Sequence, residues 1–162
     1  MLNGKKVTLV LGGGGMKGLA HIGVLKALAR HGIVPDEYVG TSVGSYIAAL
    51  AAGGMKLSEI EEVGLSVSRE DILDYDWWGL IWRRGSNRSL YRGKALHDFV
   101  RKTLPVDRFD QLKAPLYIST VDLSRAQETV WGMPGLVEVP IHDCVVASCS
   151  IPGIYPPKRI NR

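Results

Sequence analysis

The sequence predicts an α/β domain, a three-layer sandwich built on a mainly parallel central sheet. Three observations predict it. Near the N-terminus a short apolar run, Val7-Thr8-Leu9-Val10-Leu11, breaks into Gly12-Gly13-Gly14-Gly15-Met16-Lys17-Gly18 and resumes at helical spacing. A second apolar approach, Ile33-Val34 and then Tyr38-Val39, enters Gly40-Thr41-Ser42-Val43-Gly44 and leaves as the alanine-rich run 46–52. Downstream, further strand-like and helix-like runs alternate, the order from which layered α/β domains are assembled.

The first run is nearly continuous in apolar β-formers, which predicts a strand buried on both faces of a parallel sheet. After the glycines, Leu19, Ile22, Leu25 and Leu28-Ala29 recur on one helical face, and His31-Gly32 supplies a C-terminal stop. Backbone N–H groups in such a loop lack side-chain cover, so the loop can cradle an anion. Gly13-x-Gly15-x-x-Gly18 fits a dinucleotide fingerprint, with Asp36 or Glu37 at about the distance of a ribose-binding acid. Against this, those acids precede the apolar Tyr38-Val39 instead of closing the second strand. No Gly-Lys-Ser/Thr follows at Walker spacing. The competing reading is an oxyanion hole whose amides face an intermediate formed at Ser42. A plain tight turn that packs the helix closely is the structural alternative.

Gly40-Thr41-Ser42-Val43-Gly44 has the G-x-S-x-G pattern of a nucleophile elbow, where a strand turns directly into a helix. The turn is tight enough that its flanking residues, Gly40 and Gly44, must be small. It presents Ser42 at the strand's C-terminal end, near amides that favour developing negative charge. The bland alternative is a serine that only caps the helix.

Ser58-Glu59-Ile60-Glu61 reads as a capping box opening a helix to about Val67. Residues 71–92 carry Trp77, Trp78 and Trp82 beside Arg83, Arg84 and Arg88, a mixture suited either to a lipid headgroup interface or to a loop packing its aromatics on the domain. A helix is predicted over 93–104, strands over 116–121 and 128–131, and a last helix over 141–149. His21, His31 and His97 have helical context and no partner pattern.

At 162 residues, with 46% hydrophobic and 22% charged residues, the chain suits a single domain with a real core. The net charge of +4 is compatible with an anionic surface or a phosphorylated substrate and too weak to argue for nucleic acid. Cys144 and Cys149 lack C-x-x-C spacing and a local histidine cluster, so they read as reduced core thiols and no metal or cofactor is expected. No stretch approaches the roughly 20 apolar residues that span a bilayer. The expected compartment is the cytoplasm, with peripheral membrane association compatible. Nothing in the sequence bears on oligomeric state.

Four ordered blocks together resemble the patatin-like phospholipase family. They are Gly13-Gly14-Gly15-Met16-Lys17-Gly18, His21-Ile22-Gly23-Val24-Leu25, Gly40-Thr41-Ser42-Val43-Gly44, and Ala147-Ser148-Cys149-Ser150-Ile151-Pro152-Gly153-Ile154-Tyr155-Pro156-Pro157. The resemblance implies a serine acyl hydrolase acting on phospholipids or other acyl esters. Ser42 would be the nucleophile, and amides of Gly14 and Gly15, with Gly13 a neighbour, the oxyanion hole. Lys17 would orient that loop or meet a phosphate. The family's Ser–Asp dyad takes its aspartate from an Asp-Gly-Gly or Asp-Gly-Ala motif beyond the Pro-Pro segment, and these 162 residues contain neither tripeptide. The expectation is therefore an N-terminal piece of a longer protein, inactive alone. A Ser42–Asp122–His142 triad is a minor rival that follows α/β-hydrolase chain order. A catalytically silent membrane adaptor is another.

Overall fold

The structure is a computed structural model that describes residues 5–75 and 89–160. The Trp77, Trp78, Trp82, Arg83, Arg84 and Arg88 cluster lies outside the described residues. Four strands, β1 (Thr8–Leu11), β2 (Glu37–Gly40), β3 (Leu116–Asp122) and β4 (Gln127–Trp131), form one sheet in that order. β1 and β2 pair in parallel, as do β2 and β3, and β4 returns antiparallel to β3. Among the described residues the helices are α1 (Ala20–Arg30), α2 (Val43–Ala52), α3 (Leu57–Ser66), α4 (Lys94–Thr103) and α5 (Ile141–Cys149), with short 3-10 turns at Gly15–Leu19 and Phe109–Gln111. The expected α/β class and mainly parallel sheet are what the structure shows.

Register divides the sheet into two unlike faces. Leu9, Tyr38 and Leu116 align on one, with Leu11, Gly40, Ile118 and Trp131 beside them. α2 packs against β1, β2 and β3 here, and α5 against β3. Ile47, Ala48, Ala49, Leu50 and Ala52 of α2 are each at most 1% exposed. A helix apolar all round belongs in a core, and its alanines let it lie close to the strands. Burying Ile47 and Leu50 contributes about 1.5–3 kcal/mol each.

The opposite face carries Thr8, Val10, Val39, Tyr117, Ser119 and Val121. Val10 is 68% exposed and Val121 63%. β1 is therefore not buried on both faces, as its apolar run predicts. Val10 and Val121 thus mark an exposed stretch of this face, opposite the one that α2 and α5 cover.

The remaining elements follow local signals. α4 buries Leu96 and Val100 and turns its charged residues outward. Its N-terminal amides at Gly93, Lys94 and Ala95 donate to the Asp74 carboxylate, which complements the helix's positive end. The start of α3 differs from the predicted box. The helix begins at Leu57, and Glu59 accepts from the Lys56 N–H at 2.9 Å, so Glu59 acts one turn in while Ser58 is already helical.

Candidate active site

The end of β2 turns into α2 without an intervening loop, and Ser42 sits at the turn. Its backbone has φ 55° and ψ −131°, a left-handed φ that a non-glycine residue holds only when its surroundings enforce it. Two glycines enforce it. A Cβ on Gly40 would stand 2.3 Å from Ser45 Cα, and one on Gly44 would stand 2.2 Å from the Leu11 carbonyl oxygen. The chain can cross itself here only where no side chain exists. The Ser42 side chain makes no capping hydrogen bond to α2, so the simple helix-cap reading does not describe it.

The glycine loop lies against this turn. A Cβ on Gly13 would stand 3.2 Å from Ser42 Cβ and 3.9 Å from Ser42 Oγ. One on Gly18 would be 2.0 Å from Val43 Cγ1, which packs the start of the first helical segment onto the first residue of α2. The Thr41 N–H donates to the Leu11 carbonyl, joining the two turns. Gly12 to Gly15 are exposed, and Lys17 is exposed on the same loop. Among the described residues, the backbone hydrogen bonds outside helices and strands include none donated by the N–H groups of Gly13, Gly14 or Gly15.

Two side chains that the sequence does not single out as partners hold this assembly in place. His21 Nε2 is 2.8 Å from the Gly12 carbonyl oxygen. A carbonyl only accepts, so Nε2 carries the proton and donates. Ser148, 106 residues downstream of Ser42, accepts from the Ser42 N–H at 2.8 Å and donates to the Ser119 carbonyl at 2.7 Å. One hydroxyl on α5 thus ties the elbow to β3. Its sequence sign is the Ala147-Ser148 pair that opens the C-terminal block resembling the family's.

Cys149 follows Ser148. Burial pushes its thiol up to about 12, an effect that the neighbouring Ser42 side chain partly offsets. At neutral pH it is a thiol, and so no base for the serine. A groove of about 690 Å³ opens alongside, lined by residues that include Thr41, Ser119, Trp131, Ser148 and Ile151. That size suits a small-molecule or acyl-chain site.

Asp36 and Glu37 stand at the far end of β2 from the glycine loop. Asp36 accepts from the Val7 N–H, and Glu37 pairs with Lys6 and Thr8. The acid that the dinucleotide reading needs is therefore at the wrong strand end. Asp122 accepts from the Ser124 N–H and hydroxyl, which hold its carboxyl below the usual range in a structural turn. His142 is engaged by Asp107 at 2.6 Å. The two rival triad members thus have separate partners.

Strand, tight glycine-flanked serine turn and helix, with a second glycine loop at the same sheet edge, define the serine-elbow class of α/β proteins. The chain belongs to the patatin-like phospholipase family, whose model matches residues 9–162. It is 29% identical to patatin-like phospholipase domain-containing protein 6 of Mus musculus over 97% of its length, and 31% identical to the lysophospholipase NTE1 of Pyricularia oryzae over 96%. It spans only 11% and 10% of those two proteins. An uncharacterised NTE family protein of Mycobacterium bovis is 30% identical over 96% of the chain, which spans 40% of it. Among solved structures, VipD of Legionella pneumophila superposes with a TM-score of 0.72 at 14% identity, covering 96% of this chain and 44% of that one. ExoU of Pseudomonas aeruginosa, in complex with SpcU, gives 0.63 at 20% identity, covering 91% and 38%. Those likenesses establish the fold.

No helix among the described residues is long and apolar enough to cross a membrane.

Proposed function

We propose that this chain carries the nucleophile and oxyanion hole of a serine acyl hydrolase acting on phospholipids, lysophospholipids or related acyl esters. The observation that carries the reading is the Ser42 backbone at φ 55°, held between Gly40 and Gly44 with its side chain not spent on capping and the Gly13 loop against it. A strained, side-chain-free crossing of this kind is what lifts a serine hydroxyl to the end of a sheet.

In this reading the Ser42 hydroxyl attacks the ester carbonyl. The carbonyl oxygen becomes an anion as its π pair moves onto it, and the N–H groups of Gly13, Gly14 and Gly15 are its donors. Losing one such donor costs about 3 kcal/mol of barrier. His21 holds the loop through the Gly12 carbonyl, and Ser148 holds the elbow through the Ser42 N–H. The proton from Ser42 passes to an aspartate of the kind the family carries in Asp-Gly-Gly or Asp-Gly-Ala, which these 162 residues do not include. They would then form acyl-enzyme poorly alone. Lys17, exposed on the loop beside Gly18, would orient it or meet a substrate phosphate. Names of the relatives that specify phospholipase and lysophospholipase support the lipid class. Peripheral contact with a lipid surface follows from such a substrate.

The test is labelling by a fluorophosphonate probe in the full-length protein, with and without Ser42→Ala. Labelling that disappears with the substitution supports the assignment. Labelling that persists at full strength places the nucleophile elsewhere.

A further inference from the structure

Two histidines on different helices meet at the junction of α4 and α5. His97 Nε2 lies 3.4 Å and His142 Nε2 3.2 Å from one and the same atom, Asp143 Oδ1. The three ligating atoms all fall within 4.8 Å of one another, and the two rings meet edge to face with centroids 5.0 Å apart. The far nitrogens face carboxylates as well. His142 Nδ1 is 2.6 Å from Asp107 Oδ1, which also accepts the His142 N–H, and His97 Nδ1 is 3.4 Å from Asp98 Oδ1.

A carboxylate on Nδ1 places the imidazole proton there and leaves the Nε2 lone pair facing outward. Both Nε2 atoms then lie close to a carboxylate oxygen, which also only accepts. Three acceptor atoms gathered this closely favour a cation between them. Asp143 Oδ1 is sealed from solvent and has no hydrogen bond of good geometry. Among the described residues, the cationic group at it is the Lys158 ammonium, 2.5 Å away.

Adjacent ligands on a tetrahedral zinc ion with bonds of about 2.0–2.1 Å stand about 3.3 Å apart, close to the two nitrogen–oxygen spacings here. Two imidazoles and one carboxylate suit Zn²⁺ and its neighbours in the transition series better than Mg²⁺ or Ca²⁺, and carboxylates behind the imidazoles are the usual second layer of such sites. Around the cluster, the carboxylates of Asp98, Asp107 and Asp143 outnumber the ammonium groups of Lys94 and Lys158.

We propose that His97, His142 and Asp143 form a three-ligand Zn²⁺-type site that joins α4 to α5, with the Lys158 ammonium occupying the cation position when the metal is absent. α5 also carries Ser148, so the ion steadies the helix that anchors the Ser42 elbow. The site is separate from the hydrolytic chemistry and stands or falls without it.

The test is a calorimetric titration of the full chain with Zn²⁺ at pH 7.5, repeated with Mg²⁺, alongside thermal unfolding. One equivalent of Zn²⁺ binds with a Kd at or below the micromolar range, Mg²⁺ does not bind, and at a hundredfold excess over Kd the Tm rises by about 5–10 °C. Co²⁺ in its place gives the visible absorption of a four-coordinate site. His97→Ala abolishes saturable binding, and Asp107→Asn weakens it about 10–100-fold. Lys158→Met tightens it, since the ammonium no longer competes, and this variant keeps the proposal testable should His97→Ala not fold. Absence of saturable Zn²⁺ binding, binding undiminished in folded His97→Ala, or an affinity unmoved by Lys158→Met would each overturn it. So would a Tm that does not move when the metal is added.

Discussion

Gly44→Ala is the substitution on which the geometry of the elbow can be measured. The added methyl would stand 2.2 Å from the Leu11 carbonyl oxygen, 2.6 Å from the Gly12 carbonyl oxygen and 2.6 Å from the Leu11 carbonyl carbon. All three atoms are backbone, and a relaxed carbon contact lies near 3.5–4.0 Å, so β1 and α2 must part by about 1 Å or more. Overpacking of this kind costs typically 1–3 kcal/mol, and with no flexible side chain to yield the upper end applies, about 3 kcal/mol. For a chain of this length that lowers Tm by about 6–12 °C. Gly23→Ala is the internal control. Gly23 lies within α1 with nothing inside 4 Å of an added Cβ, so the usual helical preference for alanine applies and the variant gains about 0.5–1 kcal/mol. Urea unfolding followed by circular dichroism reads both. A Gly44→Ala protein that loses less than about 1 kcal/mol, or that falls in line with Gly23→Ala, would refute the crossing of β1 over the elbow.

Two further outcomes follow from individual contacts. Ser148→Ala leaves the Ser42 N–H and the Ser119 carbonyl without their shared partner and should cost about 1–3 kcal/mol in urea unfolding, together with slower probe labelling at Ser42; unchanged stability and labelling would remove Ser148 from the anchor. Burial pushes both thiols, Cys144 and Cys149, up to about 12. A raised folded-state pKa means that the stability these thiols contribute is complete below their unfolded value near 9 and declines as pH rises from there towards 12. Cys144 in native protein should therefore resist iodoacetamide at pH 8 and react after denaturation, and its rapid native alkylation would contradict its burial.

Much of the fold is legible in the sequence because local pattern and tertiary role agree. The 141–149 helix, the strand ending in the glycine loop and the strand ending in the serine elbow all follow from periodicity and glycine spacing, and Gly40 and Gly44 are small for the steric reason their positions imply. Where local pattern is silent, the sequence misleads. Val10 belongs to an apolar run that reads as buried, yet whether a strand face is covered depends on where the helices pack. Ser58 fits a cap motif that Lys56 and Glu59 in fact fill, one of the ambiguities of placing a helix start to within two residues. The roles of Ser148 and of the His97–His142 pair are contacts between elements distant in the chain, which no spacing rule encodes. His21 reads as an ordinary helical histidine until the loop folds back to put the Gly12 carbonyl against it.

The most direct measurement is a crystal structure of the full-length protein inhibited by a phosphonate. The phosphorus should be bonded to Ser42 Oγ, with its oxygen about 2.7–3.1 Å from at least two of the Gly13, Gly14 and Gly15 nitrogens. A phosphonate attached to another residue, or one on Ser42 whose oxygen faces solvent away from that loop, would contradict the account.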